Sequence, residues 1–192
     1  VLITFFCKYL DLPVQHIDDT LLRRMHRRGS SSDIRRALRL ARERGFVLRT
    51  SLIVGFPGET EDQFRALLDF VEEAAFDRMG AFAYSPEEGT PAARLPDQVP
   101  EEVKQERLHR IMSLQQGISR QRNQERIGRE YQVLITDRNR EGALLGRSVC
   151  EAPETDGEIY ILPPREKAPE VGTFAQVRIT GAGAYDLMGE IV

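Results

Sequence analysis

The chain has 192 residues, 41% hydrophobic and 30% charged, with a net charge of −3, the balance of a globular protein of one large or two small domains. No apolar run approaches the roughly 20 residues that span a bilayer, which excludes a membrane protein, and two cysteines as far apart as Cys7 and Cys150 make no disulfide framework, so a reducing cytoplasm is expected. The charge is uneven: residues 1–97 carry 14 basic against 15 acidic side chains, residues 98–127 carry 6 against 4, and residues 128–192 carry 7 against 11, so the C-terminal part is the acidic one.

"VLITFFCKYL" has neither a basic leader region nor a cleavage site and reads as a strand over Ile3–Leu12, so the chain is expected to begin inside a longer protein. Cys7, in mid-strand, is expected to be a small buried hydrophobe. Pro13 ends the strand. Asp18 or Asp19 caps a short helix with Leu21, Leu22 and Met25, stopped by Gly29. A second helix starts at Ser31 or Ser32, with Ile34, Ala37, Leu38 and Ala41 on one face and Gly45 as its stop.

Val47–Phe56 is apolar and β-branched, which suits a buried parallel strand. Thr60 and Gln63 form a capping box for a helix whose face is Phe64, Leu67, Leu68 and Val71, and a third strand follows over Met79–Tyr84. This alternation implies βαβ crossovers and a parallel sheet, the C-terminal half of a partial TIM-like βα barrel over residues 1–97. "SPEEGTPAARLPDQVP" breaks every period and marks a boundary. A linker helix over 98–127 carries one apolar stripe of Val103, Leu108, Ile111, Leu114 and Ile118. From 128 to 192, "YQVLIT", "ALLGRSV", "GEIYIL", "FAQVRIT" and "YDLMGEIV" predict a small antiparallel barrel of five strands, OB-like or SH3-like.

Three constellations could carry chemistry. Gln15 at a strand's carboxyl end and Arg27 near the end of the next helix stand where α/β folds bind ligands, and an Arg fork suits a carboxylate. The alternative is a solvated basic helix end. In "RTSLIVGFPGET", the turn exposes backbone at Gly55 and Gly58, a rim on which a flat ring can pack, or else serves geometry alone; it is neither a P-loop nor GxGxxG. Glu87 and Glu88 in the long loop are expected in solvent. His16, His26 and His109 are scattered without cysteines at ligand spacing, so no zinc site is expected.

"YLDLPVQH…LLRRMHRRG", "RTSLIVGFPGETEDQF", "GAFAYSPEEGTPAARLPDQVP" and "LGRSVCEAPETDGEIYI" together resemble the RimO branch of the radical S-adenosylmethionine (SAM) methylthiotransferases, and the resemblance covers essentially all 192 residues. Gln-His after "LP" and the "APE.DG" phrase favour this branch over its tRNA-modifying sister. The resemblance implies SAM, two 4Fe-4S clusters, and addition of a methylthio group to the β-carbon of an aspartate in small-subunit ribosomal protein twelve. It implies that Gln15 contacts the ribose or methionine region of SAM, Arg27 its carboxylate, Ser51 the ribose, and Gly55 and Phe56 the adenine. The barrel it implies is a TRAM domain.

The family's cluster cysteines have no counterpart here, and thiolates are what hold such clusters. The chain alone is therefore expected to be colourless and inactive, with no catalytic residue and no metal of its own, while keeping part of the SAM pocket and the recognition domain. Its acidic loop run Glu151, Glu154, Asp156 and Glu158 suits a basic ribosomal protein; nucleic acid is not expected, nor a membrane, and a monomer is. The competing reading is the tRNA-modifying branch with an RNA-binding barrel. A metal-dependent hydrolase barrel fails for want of clustered His and Asp.

Overall fold

The first two helices of the chain are set by their caps. In the computed structural model, which describes residues 7–162 and 168–192, α1 (Asp19–Arg24) begins where the Asp18 carboxylate accepts the N–H groups of Thr20 and Leu21. It ends before the expected Gly29. His26 takes a left-handed φ of 54°, its N–H meets Arg23 O at 3.0 Å, and Arg27 N–H meets Leu22 O at 2.8 Å. These paired bonds are a Schellman stop built on His in place of Gly, and they put Arg27 beyond the helix. In α2 (Ser31–Glu43) the cap is Ser30, boxed with Asp33, whose carboxyl is held below its ordinary range by its bonds from Ser30. Gly45 stops α2 as expected, with Gly45 N–H on Arg42 O and Phe46 N–H on Ala41 O.

The described part of the first strand is short, β1 (Tyr9–Asp11); residues 3–6 of the expected strand lie outside the described residues. Cys7 is exposed, with its thiol on Val149 O at 3.4 Å, so the expected burial is wrong. β2 (Val47–Val54) is the centre of a three-stranded sheet in the order β1-β2-β3, and pairs in parallel with β3 (Arg78–Ala83). Its even residues Leu48, Thr50, Leu52 and Val54 are fully buried and its odd ones half-buried, so one side faces the core and the other stays open. Between the strands α3 (Glu61–Ala74) starts at the Thr60–Gln63 capping box and buries Phe64, Leu67, Phe70 and Val71 against Leu38, Leu48, Leu52, Val54, Phe76 and Ile111. Each large apolar side chain so buried contributes roughly 1.5–3 kcal/mol before entropy is counted.

α4 (Glu101–Gln124) lays Leu108, Ile111, Leu114 and Ile118 of its expected apolar stripe on the core, and buries an unexpected polar line beside them. Its most buried line runs Lys104, Arg107, Ile111, Gln115, Ser119 and Asn123, polar except for Ile111, while Val103, Leu108, Leu114 and Ile118 are only half-buried. Several of these polar groups are tolerated because they find partners: Lys104 donates to the Glu101 carboxylate, and others meet backbone carbonyls. Arg107 donates to Glu59 O at 3.2 Å and Gln115 to Phe76 O at 2.9 Å.

Contacts divide the chain into two compact units, Leu10–Ile118 and a second made of Ser119–Val192 together with Val1–Tyr9. The second unit is a closed barrel in the order β4-β5-β6-β8-β7, from β4 (Glu130–Arg138), β5 (Leu144–Arg147), β6 (Ile159–Leu162), β7 (Phe174–Ala182) and β8 (Leu187–Ile191). That order is OB-like, but the barrel is not wholly antiparallel: β8 returns as a hairpin from β7 and so runs parallel to β6, pairing Ile159 with Leu187. Val133, Ile135, Leu144, Ile159, Ile161, Val177, Ile179 and Leu187 fill it. At Gly146 a Cβ would lie 2.5 Å from Val133 Cγ1 and 2.8 Å from Leu134 O, so the barrel closes there only around a hydrogen. Among the described residues no helix is long and apolar enough to cross a membrane.

Candidate functional site

Three turns leave the sheet at the carboxyl ends of its strands, and their side chains line two adjoining cavities of about 430 and 460 Å³. Both are in the range of small-molecule sites. Gln15, Ile53 and Tyr84 line both; Arg27 and Phe56 line the first, and Ser51 and Phe82 the second.

Gln15 is held in an unusual conformation. Its φ is 70°, and His16 N–H closes on Val14 O at 2.9 Å, which makes a γ-turn centred on Gln15. A side-chain-bearing residue there is strained, and such strain persists only where the surroundings over-determine it. Here they do: Gln15 N–H bonds Ser51 O at 2.9 Å and its carbonyl accepts Ile53 N–H at 2.8 Å.

Arg27 differs from its neighbours on the same segment. Arg24 is engaged on Pro57 O at 3.1 Å and Arg23 on Thr20 Oγ1 at 3.4 Å, whereas the exposed Arg27 guanidinium makes no hydrogen bond or ion pair among the described residues and lines the cavity. A free planar fork beside a cavity is suited to a carboxylate.

The Gly-Phe-Pro-Gly turn is not an open backbone rim. The Gly55 and Phe56 N–H groups are both taken by the Glu59 carboxylate, the second at 3.1 Å, and Gly58 N–H is taken by Asp97 O at 2.8 Å. Gly55 lines neither cavity; it is needed because its φ is 71° and its missing Cβ would stand on Lys104. The wall of this turn is the Phe56 ring, edge-on to Tyr84 with centroids 5.2 Å apart.

Tyr84 was not among the expected residues, though its place just past a third strand end, like Gln15 and Phe56, was the available signal. Its hydroxyl is shielded from water without a hydrogen-bond partner among the described residues, and burial, with the charge of Glu87, pushes its pKa up. Lys104 Nζ stands 5.6 Å over the Tyr84 ring. Glu87 and Glu88 are exposed as expected.

In the barrel unit the acidic run divides. Glu151 is a correction: it is buried, 6% exposed, accepts Ser148 N–H and Oγ–H at 2.9 and 2.7 Å, and pairs with Arg126. Asp156 closes its own loop by accepting Ala152 N–H at 2.8 Å and Tyr9 O–H at 2.6 Å. Glu154 is exposed and Glu158 half-buried.

A parallel βα segment with cavities at its carboxyl edge and an OB-like barrel after it define a protein of two kinds of module. Residues 2–71 match the model of the Radical SAM superfamily and residues 127–192 that of the TRAM domain. Over 97% of its length the chain is 53% identical to the ribosomal protein uS12 methylthiotransferase RimO of Heliobacterium modesticaldum and 52% identical to that of Geobacter sulfurreducens, covering 40% and 42% of those proteins. The RimO of Geotalea uraniireducens is 48% identical over the same share of the chain. By sequence the chain is similar to the RimO-type methylthiotransferases over nearly all of its own length, and it spans about two fifths of the length of the curated relatives it matches.

The residues present fit SAM better than they fit a cluster. A free arginine, a strained glutamine, an aromatic wall and an unpartnered buried hydroxyl surround the cavities, but among the described residues no group of three or more His, Cys, Asp or Glu could hold a metal.

Proposed function

We propose that this chain forms part of the SAM pocket and the substrate-recognition barrel of an enzyme that adds a methylthio group to the β-carbon of an aspartate in ribosomal protein uS12, in the cytoplasm. The observation that carries it is the meeting of Gln15 and Arg27 on one cavity from two separately braced turns. Arg27 would hold the methionine carboxylate, Gln15 and Ser51 the ribose side, and Phe56 would stack by the adenine. Tyr84 would supply a hydroxyl to the polar part of the ligand. SAM, when bound, supplies methyl and radical chemistry; the chain's own residues bind it, orient it and keep water from its aromatic end. The described residues offer the clusters no ligand set.

The domain division follows the same reading: residues 1–97 as pocket, 98–127 as linker and 128–192 as recognition domain. Seven basic against eleven acidic side chains in the last segment favour a basic protein over RNA, with Glu154 and Glu158 left as the recognition acids of the loop because Glu151 and Asp156 have structural partners.

Calorimetry of the chain with SAM and with ATP tests the pocket. Saturable binding of SAM and none of ATP is expected; equal binding of both would overturn the assignment.

A further inference from the structure

Beneath the rim of the first cavity lies a buried pair that ligand binding as proposed does not use. His16 is 0% exposed and the Glu59 side chain equally so. His16 Nδ1 accepts Asp18 N–H at 3.0 Å, so in the neutral ring the proton sits on Nε2, 3.8 Å from Glu59 Oε1. Neither Nε2 nor Oε1 has a hydrogen-bond partner among the described residues. The other carboxylate oxygen clasps the amides of Gly55 and Phe56, with Arg107 Nη1 3.7 Å away to answer its charge.

Burying polar atoms without full partners is costly. Here the cost falls where two cavity walls meet, since His16 follows the strained Gln15 and Glu59 holds the amide of Phe56. The ring of His16 is fixed on one side by Asp18 and faces Glu59 on the other, so the turn of Gln15 and the turn of Phe56 are set against each other through one contact.

We propose that His16 and Glu59 are positioning residues, a buried bolt that fixes the Gln15 turn against the Gly55–Phe56 turn and so sets the cavity walls before ligand arrives. It rests on the reading of this cavity as the SAM site only for its effect on affinity. Two substitutions separate the halves of the bolt. His16→Asn keeps an acceptor near the Asp18 amide but falls short of Glu59, whereas His16→Gln reaches toward Glu59 without serving Asp18.

The experiment measures, on the 192-residue chain, SAM affinity by calorimetry, amide exchange of Gly55 and Phe56 by NMR, and the thermal midpoint. His16→Asn is expected to weaken SAM binding and to speed exchange at both amides by about tenfold each, at an unchanged midpoint, with His16→Gln recovering most of both. Glu59→Gln added to His16→Asn should cost less than the two separate losses multiplied, the mark of a coupled pair. Wild-type exchange rates at Gly55 and Phe56 in His16→Asn would overturn the bolt, as would a lowered midpoint with both other readings unchanged. Should the parent chain not bind SAM at all, the reading of the cavity falls while the exchange rates still decide the bolt.

Discussion

Arg126 Nη1 and Glu151 Oε1 lie 2.5 Å apart inside the barrel unit, and the guanidinium is stacked 4.7 Å over the Tyr131 ring. The pair fastens the segment just after α4 to the loop after β5, because the other Glu151 oxygen caps Ser148. Removing one partner would leave a buried charge without its counterpart, so Arg126→Met should cost the barrel about 3–5 kcal/mol. The double change Arg126→Met with Glu151→Leu should recover most of that loss. Urea unfolding followed by Tyr fluorescence checks both, and equal stability of the single variant and the parent would show the pair to be idle.

The same pair sets an acid limit. Burial pushes the Glu151 carboxyl up, but the charge and hydrogen bond of Arg126, with the Ser148 bonds, outweigh it and hold it below its ordinary value of 4.5. A carboxyl lowered by folding contributes stability that is full above its unfolded pKa and is lost as pH falls through the folded one. Barrel stability should therefore be flat in this respect above about pH 5.5 and decline below about pH 4.5. In Glu151→Gln that part of the decline should vanish, which a denaturation series from pH 6 to pH 3 would reveal.

What was legible in the chain was local. Gly45 and the Thr60–Gln63 box end and start helices through bonds within a few residues, so the sequence shows them directly. The open edge of the sheet followed from Pro13 and from the alternation of strands and helices, and it placed Gln15. What escaped needs partners remote in sequence. Asp156 is tied to Tyr9 and Glu151 to Arg126, and a run of four acids does not reveal which of them are already spoken for. The parallel pairing of β6 with β8 depends on a return through β7, and the polar buried line of α4 on carbonyls such as Phe76 O, some forty positions away. His26 ends α1 where Gly29 was expected, at a left-handed φ of 54°; His is one of the few side-chain-bearing types that visit this region more often than most, a weaker signal in sequence than a glycine.

Arg27→Ala tests the cavity from its charged end. A charge-assisted bond lost from a site costs about 1.5–3 kcal/mol, or roughly ten- to a hundredfold in affinity. Because the Arg27 side chain holds no partner among the described residues, folding should be untouched. SAM affinity should fall by that factor, while Arg28→Ala, exposed but off the cavity, should leave it unchanged. Equal affinities for both variants by calorimetry would make Arg27 one more solvated arginine.

The barrel should prefer a basic protein to RNA, and its loop acids should govern how fast the partner arrives more than how long it stays. Seven basic and eleven acidic residues give residues 128–192 a net negative charge that repels phosphate and attracts a Lys- and Arg-rich surface. Rim charges steer encounter and are screened by salt, so a variant should act on the association rate. Glu154 is the residue to reverse, since it is exposed and makes no ion pair among the described residues, whereas reversing Asp156 would break the bond that closes its loop. Glu154→Lys should slow association with uS12 about two- to fivefold at low salt, leave dissociation almost unchanged, and lose most of its effect near 0.5 M salt. Surface plasmon resonance at three salt concentrations measures all of this. Tight binding of tRNA at physiological salt, with uS12 ignored, would move the chain's function to the tRNA-modifying branch.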